Sequence, residues 1–459
     1  MTSNWANQTI WTGDNLPIMR GMNSESVDLI YLDPPYNSNA DYAAPIGSRA
    51  AGAAFKDTWS LSDVDAEWIN LMEAKHPALH RVLLAAMTDS DKSYLAYMAV
   101  RLLEMRRILK PAGSIYLHCD PTMGAHLKLL MDAVFGRGNY LNAITWKRTT
   151  TKNDYAQGAV HWPRVRDVLL HYRASENYTS FNQPFVPLSD EQVGKKYRHV
   201  EESSGRRYRL DNLTGPGGSA KGNPEYEFMG VVRSWRYNEE KMLKLLDAGR
   251  IVQTAPGRVP QYKRYLDESK GVSVGDLWAD IPPVNSQANE RTNYPTQKPR
   301  KLLERIIEAS SNEGNIVLDP FCGCATTCVA AESLHRQWVG IDISPKAAEL
   351  VDLRIREELG GLFDCIRRAD IPRRTDLGKL PSYSSHGKSL YGEQGGNCNG
   401  CGEHFKPRHL TVDHIIARNK GGTDHIENLQ LLCGHCNAVK GDRGMEYLRV
   451  KLQLARGGR

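Results

Sequence analysis

Val27-Asp28-Leu29-Ile30-Tyr31-Leu32, followed by Asp33-Pro34-Pro35-Tyr36, is the stretch from which the rest of the chain is read. Its first six residues are mostly apolar with β-branched members and predict a buried strand. Two prolines then stop the strand, because each fixes its own φ and disfavours the helical region for the residue before it. The result is a rigid turn at a strand's C-terminal end, the edge of an open α/β sheet where ligands bind. It aims a carboxylate, one or two backbone carbonyls and an aromatic ring at a common point. An aromatic exocyclic amine suits such acceptors. Bonds from its N–H groups to Asp33 and the Pro34 carbonyl draw it toward tetrahedral geometry. They free its lone pair and stabilise the positive charge that develops as it attacks a methyl group. Tyr36 can stack on the ring. The same residues also read as a plain strand-ending turn with a capping Asp.

Outward from this turn, strands and helices alternate. Gln8 to Trp11 reads as a strand, Leu16 to Met22 as a helix, Tyr94 to Leu109 as a helix, Ser114 to His118 as a strand and Met123 to Phe135 as a helix. Residues 37–60, rich in Ala, Ser, Gly and Asn, read as a mobile loop. The alternation predicts an α/β fold with a parallel sheet covered by helices. It fades after Trp146 and returns at Arg300. Between them, Arg, Lys, Tyr and Trp mingle with Gly/Pro breaks, a composition suited to a nucleic-acid surface or to a solvated, irregular insert.

The 459 residues suffice for two or three domains, and the net charge of +6 allows an acidic partner without demanding one. No segment reads as a signal peptide or a membrane span. Of nine cysteines, Cys398, Cys401, Cys433 and Cys436 form two Cys-x-x-Cys pairs and five are scattered. That placement favours a reducing, cytoplasmic setting over disulfides.

After the strand Ile316 to Leu318 comes Asp319-Pro320-Phe321-Cys322-Gly323-Cys324-Ala325-Thr326-Thr327, then a helix, then a strand ending at Asp342. A tight turn of small residues and an acid at the end of the next strand fit a nucleoside cofactor, the acid taking the ribose diol.

With these motifs in order over residues 8–360, the chain resembles the β-class amino DNA methyltransferases, adenine-specific and of the Asp-Pro-Pro-Tyr type. Asp33, Pro34, Pro35 and Tyr36 match the catalytic motif. Asp319 to Thr327 resembles the Phe-x-Gly-x-Gly cofactor motif, Asn293 to Pro299 the segment before it, and Gly13-Asp14 lies where the family contacts the cofactor's adenine. The resemblance implies a Rossmann-like methyltransferase fold and S-adenosylmethionine as donor. It implies cofactor contacts from Asp14, Lys298, Asp319, Phe321, Gly323, Ala325, Thr326 and Asp342. Ala325 departs from the family, which has Gly there. Asp at position 33 favours N6 of adenine over N4 of cytosine, with the base flipped out of double-stranded DNA. The implied organisation is a catalytic half over 1–146, a target-recognition insert over 147–292 and a cofactor half over 293–371.

Residues 372–396 read as a polar linker, spanning ~25–30 Å as a flexible coil. Beyond it, over 397–459, the Cys-x-x-Cys pairs suit a structural zinc ion. Between and after them, Asp413-His414, Asn428 and Asn437 resemble an HNH endonuclease, the ββα-metal fold. The resemblance makes Asp413 and Asn437 ligands of a magnesium or other divalent ion, His414 the base and Asn428 its orienting partner. The combined reading is a methyltransferase–nuclease fusion in a prokaryotic or phage-infected cell, a single-chain restriction–modification enzyme. Two other readings stay open: a protective or regulatory methyltransferase whose HNH module only binds DNA, and chiefly a nuclease with a weakened cofactor site. A homodimer is also left open.

Overall fold

The computed structural model describes residues 2–37, 40–44, 48–51, 54–57, 69, 72–73, 76–151, 158–177, 181–285, 287–360 and 363–457. They form two compact units, one of residues 1–182 with 275–459 and the other of residues 183–274.

The first unit is built on a nine-stranded sheet. Its strands are β1 (Thr9–Thr12), β2 (Val27–Leu32), β3 (Leu109–Cys119), β4 (Tyr140–Lys147), β5 (Arg166–Arg173), β6 (Leu277–Trp278), β7 (Ile316–Asp319), β8 (Gln337–Asp342) and β9 (Ile366–Arg368). Across the sheet the order is β6-β4-β5-β3-β2-β7-β8-β1-β9. All pairs are parallel except β3·β5 and β4·β5, so β5 alone runs against the rest. The sheet is parallel with helices on its faces, as expected, except that β5 forms an antiparallel hairpin with β4 and widens it. β4 buries only Ile144 and Trp146, and β5 carries a charged or polar residue at Arg166, Asp167, His171 and Arg173, so neither shows a clean apolar alternation in the sequence.

β2 sits at the middle, with Ile30 opposite Leu318 on one side and Ile115 on the other. Buried on both faces, it reads as the continuous apolar run seen in the sequence. Helices α1 (Asn15–Gly21), α2 (Asp89–Ile108), α3 (Pro121–Phe135), α4 (Arg300–Ser310), α5 (Thr326–Ser333) and α6 (Lys346–Leu359) flank the sheet. α2 starts at a Thr88 cap that accepts from Asp91 N, and buries Leu95, Met98, Leu102 and Met105 in the main core. Because the strands are parallel, the residues that follow β1, β2, β7 and β8 emerge at one edge. This edge carries Asp14, Asp33, Asp319 and Asp342. Residues 37–60 were expected to be loop, but their described part pairs Ala40–Ala43 with Ala54–Asp57 as a small antiparallel hairpin.

In the second unit, a four-stranded antiparallel sheet (199–200, 207–212, 251–252, 261–265) accompanies a core of Leu213, Phe228, Val231, Trp235, Met242 and Ile251. It is smaller than the insert expected at 147–292. Several of its cations are already paired: Arg206 with Asp267 and Glu268, Arg250 with Glu268, and Arg264 with Asp211.

The C-terminal module pairs β10 (Leu410–His414) with β11 (Leu429–Cys433) and packs α7 (Gly387–Glu393), α8 (Gly434–Lys440) and α9 (Met445–Gly457) beside them. Residues 372–396 are not a coil. Thr375 N donates to Asn23, Ser24 N donates to Asp376, and Arg374 pairs with Asp376. Leu390 of α7 belongs to the module's core, and Gln394 bonds the backbone of Leu431. The sparse polar sequence of 372–396 misled because its order comes from side-chain bonds and one apolar anchor, not from periodicity.

Candidate active site

A cavity of about 470 Å³ opens at the C-terminal edge of the sheet. Its wall includes Asp14 after β1, Asp33 to Tyr36 after β2, Asp319, Phe321, Gly323 and Thr326 after β7, Asp342 at the end of β8, and Lys298. Of the residues expected to touch the cofactor, only Ala325 is not on the wall. The volume lies within the usual range of small-molecule sites.

The turn after β7 explains its composition. Gly323 has φ +52°, and a Cβ there would lie 3.1 Å from the Tyr294 ring. Ala325 has φ +58° and is fully buried. Its left-handed backbone is the reason for a Gly preference at this position, and the Ala carries that strain. The turn is held from below by Arg354 of α6, which is fully buried. Its guanidinium donates to Cys324 O at 3.0 Å and Thr326 Oγ1 at 2.8 Å and pairs with Glu358 at 2.7 Å. Asp342 accepts from Gly323 N and Ser344 N, both at 2.8 Å. Burial raises its carboxyl pKa, and these two bonds oppose the shift. Asp319 accepts from Thr327 Oγ1 at 2.5 Å and Phe321 N at 3.0 Å. Burial pushes its carboxyl up to about 7 against those bonds. Asp14 caps α1 and pairs with Arg101 at 2.7 Å.

On the other side of the cavity, Asp33 accepts from the Tyr36 hydroxyl and from Lys298 Nζ at 2.5 Å. Lys298 Nζ also lies 3.1 Å from Tyr36 Oη. Lys298, expected at the cofactor, lines the cavity with its ammonium on the Asp33 carboxylate. Burial, with Asp33 beside it, holds the Tyr36 hydroxyl protonated well above the usual tyrosine range. The backbone N–H groups of Tyr36 and Asn37 donate to buried Asp57, which fixes the turn from the neighbouring hairpin. Beneath Tyr36 lies His118, stacked with ring centroids 6.2 Å apart. It bonds Tyr31 through Nδ1 at 2.9 Å and Asp167 through Nε2 at 3.2 Å. Burial, with Lys298 nearby, lowers its pKa.

In the C-terminal module the Sγ atoms of Cys398, Cys401, Cys433 and Cys436 lie within 4.8 Å of one another. A tetrahedral zinc ion with Zn–S near 2.3 Å needs S···S separations of about 3.8 Å, so the donor set fits. Cys398 Sγ accepts from Gly400 N and Cys433 N, bonds that favour a thiolate. His414 Nε2 bonds Asp424 Oδ1 at 2.8 Å, and Asp424 also pairs with Arg418 at 2.5 Å. The Tyr383 ring packs 4.9 Å from the His414 ring. Asn428 accepts from Ile416 N and donates to Ile416 O and Thr423 O. It secures the loop between the strands, and Asp424 takes the orienting role expected of it. Asp413 accepts from Gln430 and pairs with buried Lys440 at 3.1 Å, while Asn437 donates to Thr411 at 3.1 Å. These contacts give the two expected ion ligands separate partners.

The DNA methylase family model matches residues 27–352, and the HNH endonuclease model matches 398–443. The chain belongs to the DNA methylase family. It is 31% identical to type II methyltransferase M.EcaI of Enterobacter cloacae over 75% of this chain and 68% of that protein. It is 42% identical to type II methyltransferase M.HpaI of Haemophilus parainfluenzae over 78% and 77%. With DNA adenine methyltransferase YhdJ of Escherichia coli it shares 26% over 73% and 79%.

In this methylase the sequence reading missed Asp57, His118, Arg354, Tyr383 and Asp424. A buried His at a strand end, as in Tyr116-Leu117-His118, was the one signal available. The others act through contacts between distant segments. Among the described residues, no helix is long and apolar enough to cross a membrane, and all nine cysteines are free.

Proposed function

We propose that this methylase transfers a methyl group from S-adenosylmethionine to N6 of adenine in double-stranded DNA, and that its HNH domain cuts DNA as the nuclease half of a single-chain restriction–modification enzyme. The observation that carries the transfer is that Asp33 and Asp342 line one continuous cavity. A donor held at the Asp342 end and an amine held at Asp33 can meet within it.

Small residues and a buried acid suit the cofactor. Asp342 keeps lone pairs beyond its two backbone bonds for a ribose diol. Asp14 and Phe321 would flank the adenine, and the Gly323 turn would admit the ligand's backbone-close portion. When bound, the cofactor supplies an electrophilic methyl group. Asp33 and the Pro34 carbonyl would take the target's N–H groups, and Tyr36 would stack on the base. The target amine must displace Lys298 from Asp33, and Asp33 is placed to accept the proton the amine sheds. Adenine is supported by Asp at position 33 and by the name of the similar YhdJ. The setting is the cytoplasm of a prokaryotic or phage-infected cell.

For cleavage, the Asp424 bond leaves His414 Nδ1 as the basic nitrogen, and Asp413 with Asn437 would hold a divalent ion if Lys440 moved aside. A second reading, a DNA clamp without cleavage, is favoured by the existing Asp413–Lys440 pair. Tritiated-methyl transfer followed by nucleoside analysis tests the first activity: N6-methyladenine is expected, and N4-methylcytosine overturns the choice of base. Incubation with plasmid and Mg²⁺ tests the second. His414→Ala should lose cleavage and keep methylation; an unsubstituted protein that never cuts is the clamp.

A further inference from the structure

The segment leading into β5 holds an apolar group that the fold itself does not use. Trp162 is 92% exposed and Val160 fully exposed, whereas Trp11, Trp146, Trp235, Trp278 and Trp338 are buried. An exposed indole offers a large, flat, rigid apolar face to a partner.

Its place in the sheet says which partner. Cys119, the last residue of β3, pairs with Val168 of β5, and Lys147 pairs with Arg166 two residues further out. The hairpin therefore leaves the sheet at the edge that carries Asp33. It stays paired to Arg148 N→Val165 O at 3.0 Å. Its base is locked to the catalytic turn: Trp146 meets the His118 ring edge-on at 5.8 Å, Asp167 bonds His118, and His118 lies under Tyr36. Lys147, Arg164 and Arg166 are exposed, as is Arg148, which pairs with buried Asp167 at 3.1 Å; no exposed carboxylate accompanies them among the described residues of 147–166. Cations flanking an exposed ring fit a nucleic-acid duplex, with charge for the phosphates and a flat apolar face for the bases.

We propose that Trp162 enters the duplex and occupies the gap left when the target base turns out into the cavity. The inference rests on the methyl-transfer reading above, because a base inside a duplex is out of reach of Asp33 until it is extruded. The extrusion breaks stacking on both neighbours, and an inserted apolar wedge restores part of it. Trp162 is thus a positioning residue that acts on the DNA and not on the reacting atoms.

The test uses the full chain and a synthetic duplex carrying the site found by single-molecule sequencing of DNA from expressing cells. Transfer of tritiated methyl is measured with the target base normally paired and, separately, opposite an abasic site, where extrusion is easier. Trp162→Ala should lower kcat/KM at least tenfold on the paired duplex and by less than threefold on the abasic one, with Trp162→Phe close to the unsubstituted protein on both. Rates within twofold on the paired duplex, or an equal loss on both, overturn the wedge. No transfer by the unsubstituted protein to either duplex overturns the methyl-transfer reading itself.

Discussion

Asp33 is held by two donors, Tyr36 and Lys298, and the substrate amine must replace one of them. Asp33→Ala should therefore cost at least about 10²–10³ in methyl-transfer rate, the scale of losing one transition-state acceptor. S-adenosylmethionine affinity measured by calorimetry should stay within about threefold. Lys298 separates two roles. If it serves the carboxylate, Lys298→Met lowers kcat about tenfold or more and leaves cofactor affinity nearly unchanged, since the lost contact is an ion pair at the reacting centre. A weakened cofactor with intact kcat would return Lys298 to the donor site. Ala325 is legible in the sequence as a departure from Gly, but its cost became a physical statement only when φ +58° was seen.

The helix α6 acts on the cofactor turn through one buried side chain. Arg354→Met takes from Glu358 the closer of its two arginine partners, leaving Arg300, and takes from the Cys324 carbonyl its buried donor. The expected loss is about 3 kcal/mol, the scale of breaking a buried pair, read as a shifted urea midpoint together with weakened cofactor binding. On β5, His171 lies face to face with Tyr116, with ring centroids 4.0 Å apart. Burial lowers its pKa to about 3. Its folded value is thus below the unfolded one, so the unfolded chain binds the extra proton. The stability it permits is complete above about pH 6.5 and is lost as pH falls toward 3, by up to about 1.4 kcal/mol per pH unit. His171→Phe should remove about one proton from that acid dependence when unfolding is followed between pH 6.5 and 4. An unchanged slope would mean that His171 titrates normally.

Across the whole molecule, the HNH module is not suspended on a coil. Gly421 adopts φ +82°, and a Cβ there would come within 2.7 Å of the Pro17 carbonyl of α1. The helix that carries Asp14 at its cap thus carries the module on its flank. Cleavage should fall at a narrow, fixed distance from the modified base rather than over the range of a free tether, as mapped cut ends would show. About one zinc per chain should be found by elemental analysis. Cys436→Ser should release it and unfold residues 397–457 while methyl transfer persists, because a site of four thiolates stands in for the core that so small a module lacks. A metal-free protein whose C-terminal module resists protease would contradict this.

What the sequence determined by itself was everything governed by local rules. A run of apolar residues stopped by two prolines, a turn of small residues before Asp342 and two Cys-x-x-Cys pairs each require their residues at fixed short spacing. So the Asp33–Tyr36 turn, the Asp319–Thr327 turn and the thiolate cluster could be located residue by residue. Tertiary structure alone decided which partners those residues meet. Lys298 and Asp33 are 265 positions apart and Arg354 and Cys324 are 30, and nothing periodic links either pair. Likewise, Asn428 turned inward to the loop backbone while Asp424 took the His414 ring, a choice set by how the chain between the two strands folds back. Short-range sterics and periodicity are written along the chain; side-chain pairing across it depends on packing, which no local spacing encodes.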